Sequence, residues 1–179
     1  MKKVVSLTRR AIEQYNMIED GDKIAVGVSG GKDSLVLLNV LAELSRYYPK
    51  KFTVMGLTLD MGYDADYSKV QKMCDDLGVE YKVKKTNIKE IIFDIRKESN
   101  PCSLCAKMRR GHLYSKAKSL GCNKIALGHH FSDVVETTVM SMFYGAQLQA
   151  MPPKLHSQNF EGMELIRPMY MVKEADIKA

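Results

Sequence analysis

"AVGVSGGKDSLVLL", residues 25–38, joins a short apolar run to an apolar-periodic one through two glycines and a lysine. The run before Ser29 reads as a buried strand and the segment after the glycines as a helix. Between them lies Ser29-Gly30-Gly31-Lys32-Asp33-Ser34, a sequence suited to cradling an anion. Gly30 and Gly31 can aim successive N–H groups at one anion, and the helix start adds a favourable dipole. Lys32 supplies a full positive charge, and Ser29 and Ser34 supply hydroxyl donors. Asp33 is unsuited to touching phosphate, which points to a bridging Mg²⁺ ion. A plain glycine turn with a solvated Lys–Asp pair fits the strand–loop–helix context less well.

Counting excludes two familiar phosphate loops. A Walker A loop needs glycine where this chain has Val26, and Ser or Thr where it has Asp33. A dinucleotide fingerprint needs G-x-G-x-x-G, and Gly27 is followed by Val28 and then Ser29.

Outward from this stretch, strand and helix patterns alternate. Residues 4–19 have helical spacing and end at "EDGD". "FTVMGLTLD", "VEYKVKK", "NKIALG" and "MELIRPM" read as further strands. Helical patterns run through "DYSKVQKMCDDLG", "NIKEIIFDIRKE", "SNPCSLCAKMRRGHLYSKAKSLG" (loosened at Gly111) and "SDVVETTVMSMFYG". The methionine-rich "VMSMFYGAQLQAMPP" reads as core followed by a flexible rim, with a loop after "MPPKL". Alternation implies parallel strands with right-handed crossovers. The expected fold is α/β, an open, mostly parallel five-stranded sheet with helices on both faces, Rossmann-like, in one domain over 1–179. Ligands in such sheets bind beyond the carboxyl ends of the strands, here at 29–34, 59–64 and 128–133.

The chain has 179 residues, is 45% hydrophobic, and carries a net charge of +6, which allows an ordinary core and suits a polyanionic partner. Its apolar runs are too short for a membrane span and no secretory signal pattern leads it, so a cytoplasmic location without membrane association is expected. The four cysteines then argue against a disulfide framework. Cys102 and Cys105 form a C-x-x-C pair, whereas Cys74 and Cys122 read as core positions. Asn100 as N-cap and Pro101 as first helical residue put Cys102 and Cys105 near a helix start, on one face. The helix terminus, with Lys107, Arg109 and Arg110 nearby, favours thiolates. Such a pair suits a metal, an iron–sulfur cluster or a persulfide.

"SGGKDS" resembles the signature of the PP-loop pyrophosphatases. That resemblance implies the adenine nucleotide alpha hydrolase type of sheet, with the terminal pyrophosphate of ATP in the loop and attack directed at the α-phosphorus. Further stretches, "CSLCAKMRRGHLYSKAKSLGCNKIALGHHFSDVVETTVMSMFYG", "MPPKL" and "IRPM", resemble the tRNA 2-thiocytidine synthetases. The resemblance runs from about residue 5 onward and matches less well over 60–100. It implies ATP-dependent thiolation of cytidine at tRNA position 32, with sulfur delivered through a [4Fe-4S] cluster. A cysteine desulfurase or sulfide would be the donor, and a homodimer the assembly.

Under that resemblance Lys32, Asp33, Cys102 and Cys105 are catalytic. ATP is held by Ser29, Gly30, Gly31, Lys32, Asp33 and Ser34, with Gly128 and Asp133 beside the nucleotide and its metal. The end of the second strand, including Leu59, is expected to flank adenine. Mg²⁺ falls to Asp33 and the cluster to Cys102 and Cys105. The family's third cysteine lies downstream of "RPMYMVKEADI", so the expectation is a truncated chain whose C-terminal segment carries the third ligand. His129 and His130 can be ligands, proton-transfer groups or packing residues, and Asp133 can equally be a helix-start acid. Lys2, Lys3, Arg9, Arg10, Lys154 and Arg167 can meet RNA phosphates or simply face solvent. Two other functions stay open: uridine 2-thiolation by a related cluster enzyme, and an ATP- or RNA-binding module without catalysis.

Overall fold

The computed structural model describes residues 1–62, 65–91, 101–145 and 150–178, with the side chains of 101–103 and 145 outside that description. The centre of the sheet is β1 (Asp22–Gly27), whose Ile24, Ala25 and Val26 are fully buried. A continuous apolar run fits a parallel strand covered on both faces. Beside it lie β2 (Phe52–Asp60) and β4 (Lys124–Ala126), both parallel, with Val26 opposite Gly56 on one side and Ala126 on the other. β3 (Glu80–Lys85) adds to β2, and β6 (Glu164–Ile166) adds to β4, again parallel. β5 (Lys154–His156) closes the edge antiparallel to β6, giving the order β3-β2-β1-β4-β6-β5.

The sheet therefore has six strands, not the expected five. The extra one is a three-residue edge strand spanning the end of "MPPKL" and the first residue of the loop after it, too short to show alternation and preceded by two prolines. β6 is also shorter than the run 163–169 that was read as the fifth strand.

Helices cover both faces. On one, α1 (Lys2–Gln14), α2 (Lys32–Tyr47), α3 (Ser68–Leu77) and the short α6 (Glu174–Lys178) meet a core including Val4, Ile12, Leu37, Leu41, Val70 and Val172. The other face is packed by α4 (Pro101–Ser119), whose Tyr114 and Ala117 join Met55, Leu57, Ile125 and Leu165. α2 buries Leu37, Leu38, Leu41 and Leu44 completely, each worth roughly 1.5–3 kcal/mol of transfer free energy. It stops because Tyr48 precedes Pro49 and is held extended. α3 stops at Gly78, whose φ of +69° is the left-handed cap.

Three further local expectations are corrected. The first helix ends at Gln14 rather than residue 19, because Asn16 takes φ 46° and the Met17 N–H turns back to the Ile12 carbonyl at 3.0 Å. α4 runs unbroken through Gly111, where an added Cβ would meet no neighbouring element. On α5 (Phe131–Gly145) the methionine-rich end is not core: Met140 and Met142 are exposed, and Phe143 and Tyr144 are 80% and 84% exposed. That end has no covering element among the described residues. The helix expected over "NIKEIIFDIRKE" is helical at 88–91, and the remainder lies outside the described residues, as does Asn100.

Candidate active site

Parallel pairing brings the ends of β1, β2 and β4 to one rim, so residues 29–34, 61–62 and 128–130 share it. The first contact beyond β1 is Val28 N–H to the Leu57 carbonyl at 2.9 Å. Thr58 donates its hydroxyl to the Val28 carbonyl at 2.8 Å, and Tyr81 donates to Thr58 at 2.7 Å. The phosphate-loop entrance is thus pinned from inside the sheet.

Within the loop, the Gly31 N–H donates to Ser29 Oγ at 3.4 Å and the Ser29 N–H to Ser34 Oγ at 3.2 Å. Ser34 gives its own proton to the Gly31 carbonyl at 2.8 Å, so the 3.3 Å contact between the two hydroxyls has Ser29 as donor. Ser34 is buried and shapes the loop instead of presenting a free hydroxyl. Gly30 sits at φ +82°, a conformation that L side chains rarely adopt. Gly31 is the N-cap of α2 with no side-chain cap hydrogen bond, which leaves the amides of the first turn for an anion. Ser29, Gly30, Gly31 and Lys32 are exposed at this mouth. Asp33 carries a buried Oδ1 with no hydrogen-bond partner. An orphaned carboxylate oxygen beside an anion cradle suits a hard cation such as Mg²⁺.

Gly128 lies against this loop. A Cβ there would come within 3.1 Å of the Asp33 carbonyl carbon and the Ser34 nitrogen. The close approach is to the backbone that starts α2. Gly128→Ala is therefore expected to shift that first turn and weaken ATP binding by about tenfold, roughly 1.4 kcal/mol, measured by calorimetry.

At the start of α5, the His130 N–H donates to Asp133 Oδ2 at 2.7 Å and the Asp133 N–H reaches His130 Nδ1 at 3.4 Å. This reciprocal cap uses one carboxylate oxygen of Asp133 and buries His130. His129 Nδ1 accepts from the Nε–H of Arg167 at 3.2 Å, which puts the imidazole proton on Nε2. Burial, with the Arg167 charge beside it, pushes His129 below the ordinary imidazole range, so it stays neutral. Arg167 is itself buried and also donates to the Pro152 carbonyl.

Cys105 is half-buried, with its Sγ 3.9 Å from the Sδ of Met61, the residue that follows β2. One thiol of the pair therefore lies at the rim that carries the phosphate loop. The Cys102 side chain lies outside the described residues. Lys107, Arg109 and Arg110 are exposed further along α4. Cys74 and Cys122 are buried, and burial pushes both thiols up. Cys122 Sγ packs 3.4 Å from Met55 Sδ, well inside the core. Leu59 is half-buried near the end of β2. Among the described residues no three Cys, His or carboxylate groups converge as a metal site.

Several of the surface cations have internal partners. Lys3 meets Asp176 at 2.6 Å, Arg9 meets Glu13 at 2.8 Å, and Lys154 donates to the Asn16 carbonyl at 3.0 Å. Sequence reasoning missed the Arg167–His129 pair and a contact between Lys32 and Glu174 at 3.0 Å. No periodicity signals either, because the partners lie 38 and 142 residues apart. The Asp133 cap was legible as a carboxylate three residues after the N-cap. Among the described residues no helix is long and apolar enough to cross a membrane.

Residues 4–179 match the family model of the PP-loop domain, which defines the class of this protein. A tRNA-cytidine(32) 2-sulfurtransferase of Aliivibrio fischeri is 45% identical over 98% of this chain. One from Syntrophotalea carbinolica is 42% identical over 99% of this chain and 69% of its own length. The chain belongs to the tRNA-cytidine(32) 2-sulfurtransferase family. It spans 58% of the length of the Aliivibrio relative. Among solved structures, the U34-tRNA thiolase NcsA of Methanococcus maripaludis, determined with its [4Fe-4S] cluster, superposes with a TM-score of 0.77 at 24% identity. That match covers 99% of this chain and 60% of the thiolase. At that identity the likeness concerns the fold. An NH3-dependent NAD synthetase of Campylobacter jejuni shares the fold at a TM-score of 0.58 and 16% identity, over 98% of this chain and 69% of its own.

Proposed function

We propose that this chain carries the ATP-activating and sulfur-transfer centre of a tRNA-cytidine 2-sulfurtransferase. The carrying observation is the uncapped start of α2, with Lys32 and the unpartnered Asp33 Oδ1, on the same rim as the Cys105 thiol. The pyrophosphate of ATP lies in 29–34, its charge met by Lys32 and the first-turn amides. Asp33 holds the Mg²⁺ ion. Leu59 borders the adenine, and Gly128 and Asp133 border the nucleotide.

The cytidine C2 oxygen attacks the α-phosphorus, a P–O bond forms, and the bond to pyrophosphate breaks. Oriented donors at the departing pyrophosphate act as electrostatic catalysis. A sulfur nucleophile then bonds to C2, and AMP departs with the original C2 oxygen. The neutral His129 can donate a hydrogen bond from Nε2 but is a poor proton acceptor at neutral pH. Cys102 and Cys105 would be ligands of a [4Fe-4S] cluster, which when bound would supply the sulfur carrier. The exposed Lys107, Arg109 and Arg110 meet the RNA backbone through salt-sensitive contacts. Cysteine desulfurase or sulfide supplies the sulfur.

Anaerobic incubation of iron-loaded protein with tRNA, ATP and sulfide, followed by nucleoside mass spectrometry, tests this reading. The expected product is 2-thiocytidine, formed only when ATP is present. Thiouridine in its place would move the assignment to uridine thiolation. ATP binding with no thionucleoside would leave a binding module without catalysis.

A further inference from the structure

The Lys32 ammonium, the cation of the phosphate loop, already holds an anion. Its Nζ lies 3.0 Å from Glu174 Oε1 on α6, and the same oxygen lies 2.8 Å from Lys178 Nζ one turn further along that helix. One carboxylate oxygen between two ammonium groups imitates a phosphate oxygen between two cations. The Lys178 and Lys32 hydrogen bonds hold the Glu174 carboxyl down to about 2, so it stays charged through the physiological range. Asp33 is close enough for its field to act on Lys178.

α6 does not depend on this contact for its place. Asp176 pairs with Lys3 of α1 at 2.6 Å, and the chain just before α6 accepts the Phe131 N–H at the Val172 carbonyl, 2.8 Å away. The Glu174 N–H also reaches Ser132 Oγ at 3.5 Å. Lys32 and Glu174 are both part-exposed, so their side chains can separate while α6 stays docked.

From this geometry we infer that Glu174 is an internal counter-anion of the phosphate site, exchanged for nucleotide phosphate when ATP binds. Lys32 leaves Glu174 for the pyrophosphate, and Lys178 keeps the released carboxylate paired and away from the incoming anion. Glu174 thus weakens ATP binding, and Lys178 limits the penalty. The inference deepens the reading of 29–34 as a phosphate cradle and rests on it.

Calorimetric titration of the full chain with ATP and Mg²⁺ at low ionic strength tests it. Glu174→Gln should bind ATP about two- to fivefold more tightly than the unaltered protein, the range set by a part-exposed ion pair. Glu13→Gln, the same charge change on α1 where the carboxylate pairs with Arg9, should leave the affinity unaltered. Lys178→Ala should weaken binding, and that loss should vanish in the Glu174→Gln background. Raising the salt should erase the differences, since the pair is solvent-screened. Weaker or unchanged binding by Glu174→Gln would overturn the inference while leaving the phosphate cradle intact. An equal loss from Lys178→Ala in both backgrounds would also overturn it, because Lys178 would then act on phosphate directly. If the unaltered protein binds no ATP, the cradle and the inference fall together.

Discussion

Lys32→Ala should lower ATP-dependent pyrophosphate release by about 10²–10³-fold, the range for removing a donor aimed at developing charge. The side chain is part-exposed at the mouth of the loop and its protein partner is Glu174, so the fold does not lean on it. The loop keeps its shape in the variant because Ser29, Gly31 and Ser34 hold one another. A thermal melt overlaying that of the unaltered protein should accompany the loss. Full pyrophosphate release by Lys32→Ala, read by an enzyme-coupled assay, would remove the lysine from the chemistry.

The second large effect is on stability. Lys124 is buried at the start of β4, with Nζ 2.8 Å from Asp22 and 3.2 Å from Glu164, and it donates to the Met17 carbonyl at 2.7 Å. Removing the ammonium leaves the buried Asp22 carboxylate without its counter-charge, while Glu164 keeps Lys154 at 3.4 Å. Lys124→Met should therefore destabilise the protein by about 3–5 kcal/mol, measured by urea unfolding. A domain of ordinary stability has little more than that to lose.

The pH dependence of that loss follows from Asp22. Burial works against its charge, yet Lys124, the Glu19 N–H and Asn123 outweigh burial and hold the carboxyl below its usual range. A depressed carboxylate contributes stability above its unfolded value of about 3.9, and the contribution is lost as pH falls through the folded value. The unaltered protein should accordingly lose stability below about pH 4. In Lys124→Met the Asp22 carboxyl loses that support and titrates higher, so the gap between the two proteins should narrow on acidification. A gap independent of pH would mean that Lys124 acts through packing alone.

The part of the fold legible in the sequence is the part built from long runs. Residues 25–38 announce β1, the loop and α2 because the apolar run, the glycines and the helical period each have local causes. The three-residue strand β5 has no such period, and its pairing is set by β6 from across a turn. The end of α1 was missed because a left-handed Asn16 stops the helix before the apolar residues do. Met17 and Ile18 continue the apolar pattern but are buried outside it. At the site, residue types were legible and their partners were not. Ser34 reads as a phosphate donor until its bonds to Ser29 and Gly31 are seen. Glu174 and Arg167 lie too far along the chain from Lys32 and His129 for spacing to join them.

The products of ATP turnover test the account most directly. With ATP labelled at the α-phosphate and tRNA as co-substrate, the loop at 29–34 predicts AMP and pyrophosphate in equal amounts, formed only when tRNA is present. ADP with inorganic phosphate would show attack at the γ-phosphorus and contradict it.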